Sequence, residues 1–292
     1  MIKIGFIGAG TVGIALATLL NQKGYPVAAV SSRTRTSAER LARMVKGCRT
    51  CEDNQEVADI ADLIFITTPD DMIPQIAAEV AWRQEQSVVH CNGADSTIIL
   101  QPARKAGART GVIHPLQTFA GVKEAVDNLP GSTFALEAEE PLLGTLKDMV
   151  AILGGKWIEL SAGEKALYHV AAVIASNYLV TLVKMSTDLW QKFNIPPAQA
   201  IEALLPLLRG TVNNLEKVGL PGCLTGPIAR GDAGTVKKHI AILQKEAPAL
   251  LAAYCELGRQ TVPIALAKGN ISPEQAQNIL NILEQPLTIS AG

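Results

Sequence analysis

The chain has 292 residues, of which 48% are hydrophobic, 18% charged and only 4% aromatic, with a formal net charge of −1. That length predicts one large or two medium domains with ample material for a core. Balanced charge without like-charged blocks, and few rings, argue against a nucleic-acid-binding face.

Residues 2–7 are an apolar run with strand character. They lead directly into Gly8-Ala9-Gly10-Thr11-Val12-Gly13, and an apolar, helix-forming run to residue 20 follows. Strand, glycine turn and helix in that order are the parts of a dinucleotide-binding unit. Gly8 permits the tight turn, Gly10 lets a pyrophosphate approach the backbone, and Gly13 lets helix and strand pack closely. The helix N-terminus then offers unpaired N–H groups and the positive end of its dipole. A core strand this close to the N-terminus leaves no room for a signal peptide in the expected plan.

The second strand is predicted over 26–30. It ends in Ser31-Ser32-Arg33 rather than in the acidic residue that binds a ribose 2′-hydroxyl. Two hydroxyls and a guanidinium suit a 2′-phosphate, so the expected cofactor is NADP(H). A helix over 37–45 follows. Cys48 and Cys51 form a CxxC near the third strand, without the second pair or His cluster of a zinc site, so no metal is expected. Five scattered cysteines fit reduced thiols and a cytoplasmic protein.

Strands are predicted over 61–68, 87–90, 110–113, 133–136 and 156–160, with a helix over 72–80. Nearly continuous apolar strands with helical crossovers mean an α/β fold, a doubly wound and mostly parallel sheet. Ligands of such sheets bind beyond the carboxyl ends of the strands. Thr68 and Pro69 at one end are expected to border the cofactor. His114, at another, is placed to donate or accept the proton that accompanies hydride transfer.

Beyond residue 160 the pattern becomes helical, so domains of 1–160 and 161–292 are expected, the second all-α. Ser161-x-x-Glu164 is a capping-box pattern opening a helix of roughly thirty residues. Lys165 and His169 are four apart and share a face, to which Ser176 returns after three turns. Asn177 borders that face. The apolar stretch 170–183 falls short of a membrane span. It is also apolar on too many sides for one wet face, which points to a homodimer through the helical domain. Helices follow over 198–218, around Pro248 and Pro263, and from Ser272. Between them, the constrained loop Thr225-Gly-Pro-Ile-Ala-Arg230-Gly-Asp232 offers Thr225 and Arg230 to a substrate carboxylate. A salt bridge to Asp232 is the plainer use of Arg230.

His114-Pro-Leu-Gln-Thr-Phe119, Ser176-Asn177 and Thr225–Asp232, with the glycine-rich start, resemble one family over nearly the whole chain. It is the Rossmann-like oxidoreductase family whose C-terminal half is a domain of unknown function. Asn92-Gly93 departs from the Ser-Gly common in that family. More distantly the plan is similar to pyrroline-5-carboxylate reductase, ketopantoate reductase and prephenate dehydrogenase. The hydroxyisobutyrate dehydrogenases carry a Lys and an Asn four apart at the corresponding helix start. Here Lys165 matches and position 169 is His.

The resemblance implies NADP-dependent reduction in a cleft between the domains. The expected substrate is a small 2-oxo acid of the ketopantoate kind, held by His169, Thr225 and Arg230. His114, Lys165, Ser176 and Asn177 would form the catalytic set. Imine reduction, or a non-catalytic NADP(H) sensor, are the alternatives.

Overall fold

A computed structural model describes residues 2–289. Its strands are β1 (Ile4–Ile7), β2 (Val27–Ser31), β3 (Arg49–Thr50), β4 (Leu63–Ile66), β5 (Ser87–His90), β6 (Arg109–Leu116), β7 (Thr133–Ala138) and β8 (Lys156–Glu159). The helices of the first half are α1 (Thr11–Gln22), α2 (Arg35–Met44), α3 (Asn54–Ile60), α4 (Ile73–Glu79), α5 (Gln101–Lys105), α6 (Val122–Asn128) and α7 (Leu142–Ile152). Those of the second are α8 (Lys165–Ala175), α9 (Asn177–Gln191), α10 (Pro197–Val218), α11 (Ala233–Glu246), α12 (Pro248–Lys268) and α13 (Pro273–Ile289).

The strands form one eight-stranded sheet in the order β3-β2-β1-β4-β5-β6-β7-β8. β3 to β6 are parallel, β7 runs antiparallel to β6, and β8 is parallel to β7. The chain order reverses between β1 and β4, the switch point at which such sheets open a crevice. β1 and β4 are buried at every position. Their alternate residues feed two cores: Ile4, Phe6, Leu63 and Phe65 join α1 and α7 on one face, and Ile7, Ile64 and Ile66 join α3 and α4 on the other. Phe6 and Phe65 stack with ring centroids 4.9 Å apart. Two covered faces explain why these strands read as unbroken apolar runs.

His114 and Pro115 lie inside β6, which runs to Leu116 because Pro115 pairs Phe134 and Leu116 pairs Thr133 of β7. β5 reaches only as far as Val112, its partner for His90. Beyond that point the other edge of β6 has no strand neighbour, so a residue without an N–H is tolerated.

The chain divides into two compact units, residues up to Asn177 and those from Tyr178. The division falls after α8 rather than at 160, because α8 carries side chains bonded to the sheet's carboxyl edge. The predicted single helix of thirty residues is two helices meeting at Ser176 and Asn177. It also starts late: Glu164 accepts from the Ser161 N–H and hydroxyl, both at 2.7 Å, and the helix begins one residue after it. The helical stretch Lys165–Gln191 is long and apolar enough to cross a membrane by length and composition, its most apolar 18-residue window having mean hydropathy 1.6, which corrects the shorter span read from 170–183. The difference arises because the four residues before the run, Ala166 to His169, carry no Asp, Glu, Lys or Arg and extend it to eighteen.

In the second unit a separate core joins Ile228 and Val236 to residues of α12 and α13, among them Cys255, Val262, Ile279 and Leu283. α9 and α10 add only Thr187 and Ala200 to the buried set. Asp232 caps α11, accepting from the Thr235 N–H at 2.9 Å and hydroxyl at 2.7 Å.

Candidate active site at the carboxyl edge of the sheet

The glycine turn has the shape of a phosphate cradle. Gly8 has φ +107°, and a Cβ there would stand 2.6 Å from the Thr67 carbonyl carbon. A Cβ on Gly13 would collide with the Thr67 hydroxyl, which donates to the Gly8 carbonyl at 2.8 Å. At Gly10, by contrast, the nearest atom to a Cβ is 3.8 Å away, leaving room for a ligand against the backbone. α1 has no side-chain cap and no acidic residue in its first turn, so its dipole end is free for an anion. Ala9 is buried beneath the turn, while Thr11 and Val12 are partly exposed. The Thr68 hydroxyl, just beyond β4, is buried without a hydrogen-bond partner. A buried orphan polar atom beside the glycine turn is what a missing partner leaves. Pro69 follows it, exposed.

At the end of β2 the three expected 2′-phosphate ligands divide. Ser31 is buried and its hydroxyl donates to the Asn54 side-chain carbonyl at 2.7 Å. Ser32 is partly exposed and Arg33 exposed, whereas neighbouring Arg35 is tied to Glu39. Ser31 therefore shapes the strand end, and Ser32 and Arg33 are the groups left to meet a phosphate. Together these residues suit a dinucleotide phosphate backbone.

Toward the ends of β5 and β6 lies a second cluster. His90 is fully buried. Its Nδ1 accepts from the Asn92 N–H at 3.2 Å and its Nε2 meets the Ser96 carbonyl at 3.2 Å, which fixes the proton on Nε2. Burial, above all, pushes its pKa down to about 4. The Asn92 side-chain carbonyl accepts from the Ala94 and Asp95 N–H groups, and its amide donates to the Asp95 carboxylate at 2.8 Å. Asn92 thus closes the turn after β5.

Lys165, at the start of α8, is only 1% exposed and donates to the Asn92 backbone carbonyl at 3.1 Å. Burial lowers its pKa to about 8, opposed by the charges of Glu137, Cys91 and Asp95. Glu137 accepts from the Thr97 N–H and hydroxyl through one oxygen, and its other oxygen is buried and unpartnered.

His114 points at the same turn. Its Nδ1 lies 2.8 Å from the Tyr168 hydroxyl, and its ring meets His169 edge to face at 6.2 Å. A Cβ on Gly93 would stand 2.7 Å from the His169 ring and 2.8 Å from His114 Nε2, so only glycine fits there. His114 is pushed down to about 3, by burial first and then by the charge of Lys165. Asp70 sits near this group, its carboxyl raised by burial and by Asp95, with His169 and Asn92 acting in the opposite sense.

A cavity of about 500 Å³ opens on this cluster, lined by His114, Gln117, Phe119, Tyr168, His169, Ser176 and Asn177 among others. His114 and Lys165 are thus brought to one place by α8. Lys165 lies beneath the Asn92-Gly93 turn rather than on the cavity wall. Ser176 and Asn177 reach the wall from the helix break, both exposed. Thr225 and Arg230 belong to the second unit, both exposed, and no salt bridge joins Arg230 to Asp232. Sequence reasoning passed over Tyr168. Tyr168 lies one turn beyond Lys165, a spacing that places it on the same side of the helix. Asp70 and Gly93 close the polar strand ends Thr67–Asp70 and His90–Gly93, which the sequence marks as ligand positions without giving either residue a role.

The curated 2-(hydroxymethyl)glutarate dehydrogenase of Eubacterium barkeri is 40% identical over 68 residues, which span 23% of this chain and 22% of that enzyme. A solved structure from Bacteroides fragilis, provisionally assigned as an NADP oxidoreductase, is 26% identical with TM-score 0.73, over 89% of this chain and 97% of that one. A pyrroline-5-carboxylate reductase of Streptococcus pyogenes shares the fold at 17% identity and TM-score 0.60, over 96% and 98% of the two chains. Residues 1–115 match the Rossmann-like domain family, and residues 132–261 match the domain of unknown function DUF2520. The chain therefore carries a Rossmann-like domain followed by a DUF2520 domain.

Proposed function

We propose that the protein is an NADPH-dependent reductase of a small 2-oxo acid. The observation that carries this reading is the juxtaposition at one sheet edge. The glycine cradle, the orphaned Thr68 hydroxyl and the His114–Lys165 cluster all stand at the carboxyl ends of β1, β4, β5 and β6. The relatives with assigned names, an NADP oxidoreductase and a dehydrogenase of a hydroxy acid, support the reaction class. Bound at the cradle, NADPH supplies a hydride.

The residues of the cavity supply the rest. His114 is neutral at physiological pH, so it serves a substrate oxygen as a hydrogen-bonding group rather than as an acid. Lys165, with its pKa near 8, holds a proton at neutral pH and lends positive charge to an oxygen that becomes an alkoxide. Ser176, Asn177 and His169 orient the substrate from the cavity wall. Imine reduction is the second reading, favoured by the fold shared with a pyrroline-5-carboxylate reductase. A buried ammonium disfavours a cationic iminium, which places the carbonyl first.

We further propose a homodimer in the cytoplasm. Leu167, Val170 and Ile174 form an exposed apolar stripe on α8, and α10 exposes Ile201, Leu205, Val212 and Leu215. Burying each such side chain is worth roughly 1.5–3 kcal/mol. A second copy is the occupant proposed, because a bilayer would also have to accommodate the start of α8, where Lys165 is tied to the turn after β5. Free thiols at all five cysteines suit a reducing compartment.

The test is NADPH oxidation followed by absorbance across a panel of 2-oxo acids and cyclic imines. Turnover of a branched 2-oxo acid is expected. Turnover of cyclic imines alone would replace the first reading by the second, and NADPH binding without any turnover would overturn both.

A further inference from the structure

We propose that Tyr168 is a positioning residue that fixes the tautomer of His114, with Nδ1 bare and the proton on Nε2, so that His114 presents an N–H to the cavity. The hydrogen bond between the Tyr168 hydroxyl and His114 Nδ1 is 2.8 Å long, and the two rings stand edge to face at 5.6 Å. A neutral imidazole has one donor nitrogen and one acceptor. The phenol is the better donor of this pair and the bare imidazole nitrogen the better acceptor, so the bond runs from Tyr168 to Nδ1. The reverse arrangement would leave the Tyr168 proton without a partner among the described residues, since His114 is the only group bonded to that hydroxyl.

Nε2 then carries the remaining proton. It is packed beside Gly93, where a Cβ would stand 2.8 Å away, and His114 is one of the residues lining the cavity. Among the described residues no acceptor is bonded to Nε2, which leaves that N–H available to a ligand oxygen in the cavity. The neighbouring His90 shows the same device completed within the protein. There the Asn92 N–H occupies Nδ1 and the Nε2 proton is spent on the Ser96 carbonyl. The two imidazoles hold the same tautomer by different means, one to brace a turn and one to offer a donor. Besides Tyr168, the groups that act on His114 by charge are Lys165 and His169 of α8 and His90 of β5, and each of these lowers its pKa. None of them is hydrogen-bonded to it.

The chemical consequence is that this pocket selects a hydrogen-bond acceptor, such as a carbonyl oxygen, over a donor such as a protonated imine. That consequence rests on the reductase reading. The tautomer itself does not, and it is measured on the ligand-free protein. Long-range 1H–15N correlation at neutral pH resolves the imidazoles of the chain's four histidines. The His114 signals are those lost in His114→Gln. Wild type is expected to show Nδ1 as an acceptor nitrogen and Nε2 protonated. Tyr168→Phe is expected to shift His114 to a mixture of tautomers while His90 keeps its own.

A proton on Nδ1 in the wild type overturns the proposal, whether or not the variant folds. So does a folded Tyr168→Phe protein with an unchanged His114 tautomer. The expected tautomer in a protein that turns over no 2-oxo acid or imine would support this inference and remove the reductase reading, so the two are separable.

Discussion

At the residue scale, two imidazoles with different surroundings make the sharpest expectations. His90 is buried and neutral, held near 4 against an ordinary 6.5. Between those values the unfolded chain binds a proton that the folded chain refuses, so folding stability falls as pH drops from 6.5 toward 4. The loss is roughly 3 kcal/mol for this residue, taken at about 1.4 kcal/mol per pH unit. Urea denaturation across that range should show a flatter pH dependence in His90→Gln than in wild type. Equal slopes would mean that His90 is not the group refusing the proton. At the other edge of the site, Arg33→Ala should weaken NADPH binding by roughly 1.5–3 kcal/mol and leave NADH binding nearly unchanged. Equal losses for the two cofactors, measured by titration, would remove Arg33 from the phosphate. Gly93→Ala should fold and bind NADPH but lose turnover, because a methyl at that point stands against both His114 and His169. Its near-native NADPH affinity, read by fluorescence titration, would separate site loss from misfolding.

At the scale of elements, α8 decides where the chemistry stands. It starts with the sheet-bound Lys165, lines the cavity from Tyr168 and His169 one turn on, and breaks at Ser176, still on the cavity wall. The Thr225–Asp232 segment, the most specific part of the family resemblance, has a clear local use at its end. Asp232 caps α11 through two hydrogen bonds to Thr235. Asp232→Ala should cost about 1 kcal/mol of stability, the usual worth of such a cap. A thermal melt indistinguishable from wild type would show that the cap is replaced by water. Sequence patterns placed the strands, the glycine turn and the capping pairs well, since each is a local arrangement. They ran β6 short and α8–α9 too long. The pairing of β6 with β7 and the bend at Ser176 depend on partners distant in the chain.

At the scale of the whole molecule, the exposed apolar surface is the dominant feature. Leu167 is 75% exposed, Val180 72% and Leu207 66%. Exposed apolar side chains of this size are what the proposed homodimer would bury. Sedimentation equilibrium at micromolar concentration is expected to give a dimer, and Val180→Glu a folded monomer. A monomeric wild type whose stability is independent of concentration would overturn the homodimer.

Some properties of this protein follow from the sequence alone. The glycine spacing, the strand alternation between two covered faces, the absence of an acid after β2 and the change to helical periodicity near residue 160 are all local patterns. Local patterns survive in one dimension because backbone geometry repeats every two or 3.6 residues. Only the tertiary structure decided that Lys165 reaches the carbonyl of Asn92 and that Tyr168 meets His114. It also decided that Gly93 must be glycine because two imidazoles crowd it. Those partners lie tens of residues apart, and no spacing rule encodes a contact that exists only when a helix is laid across the end of a sheet.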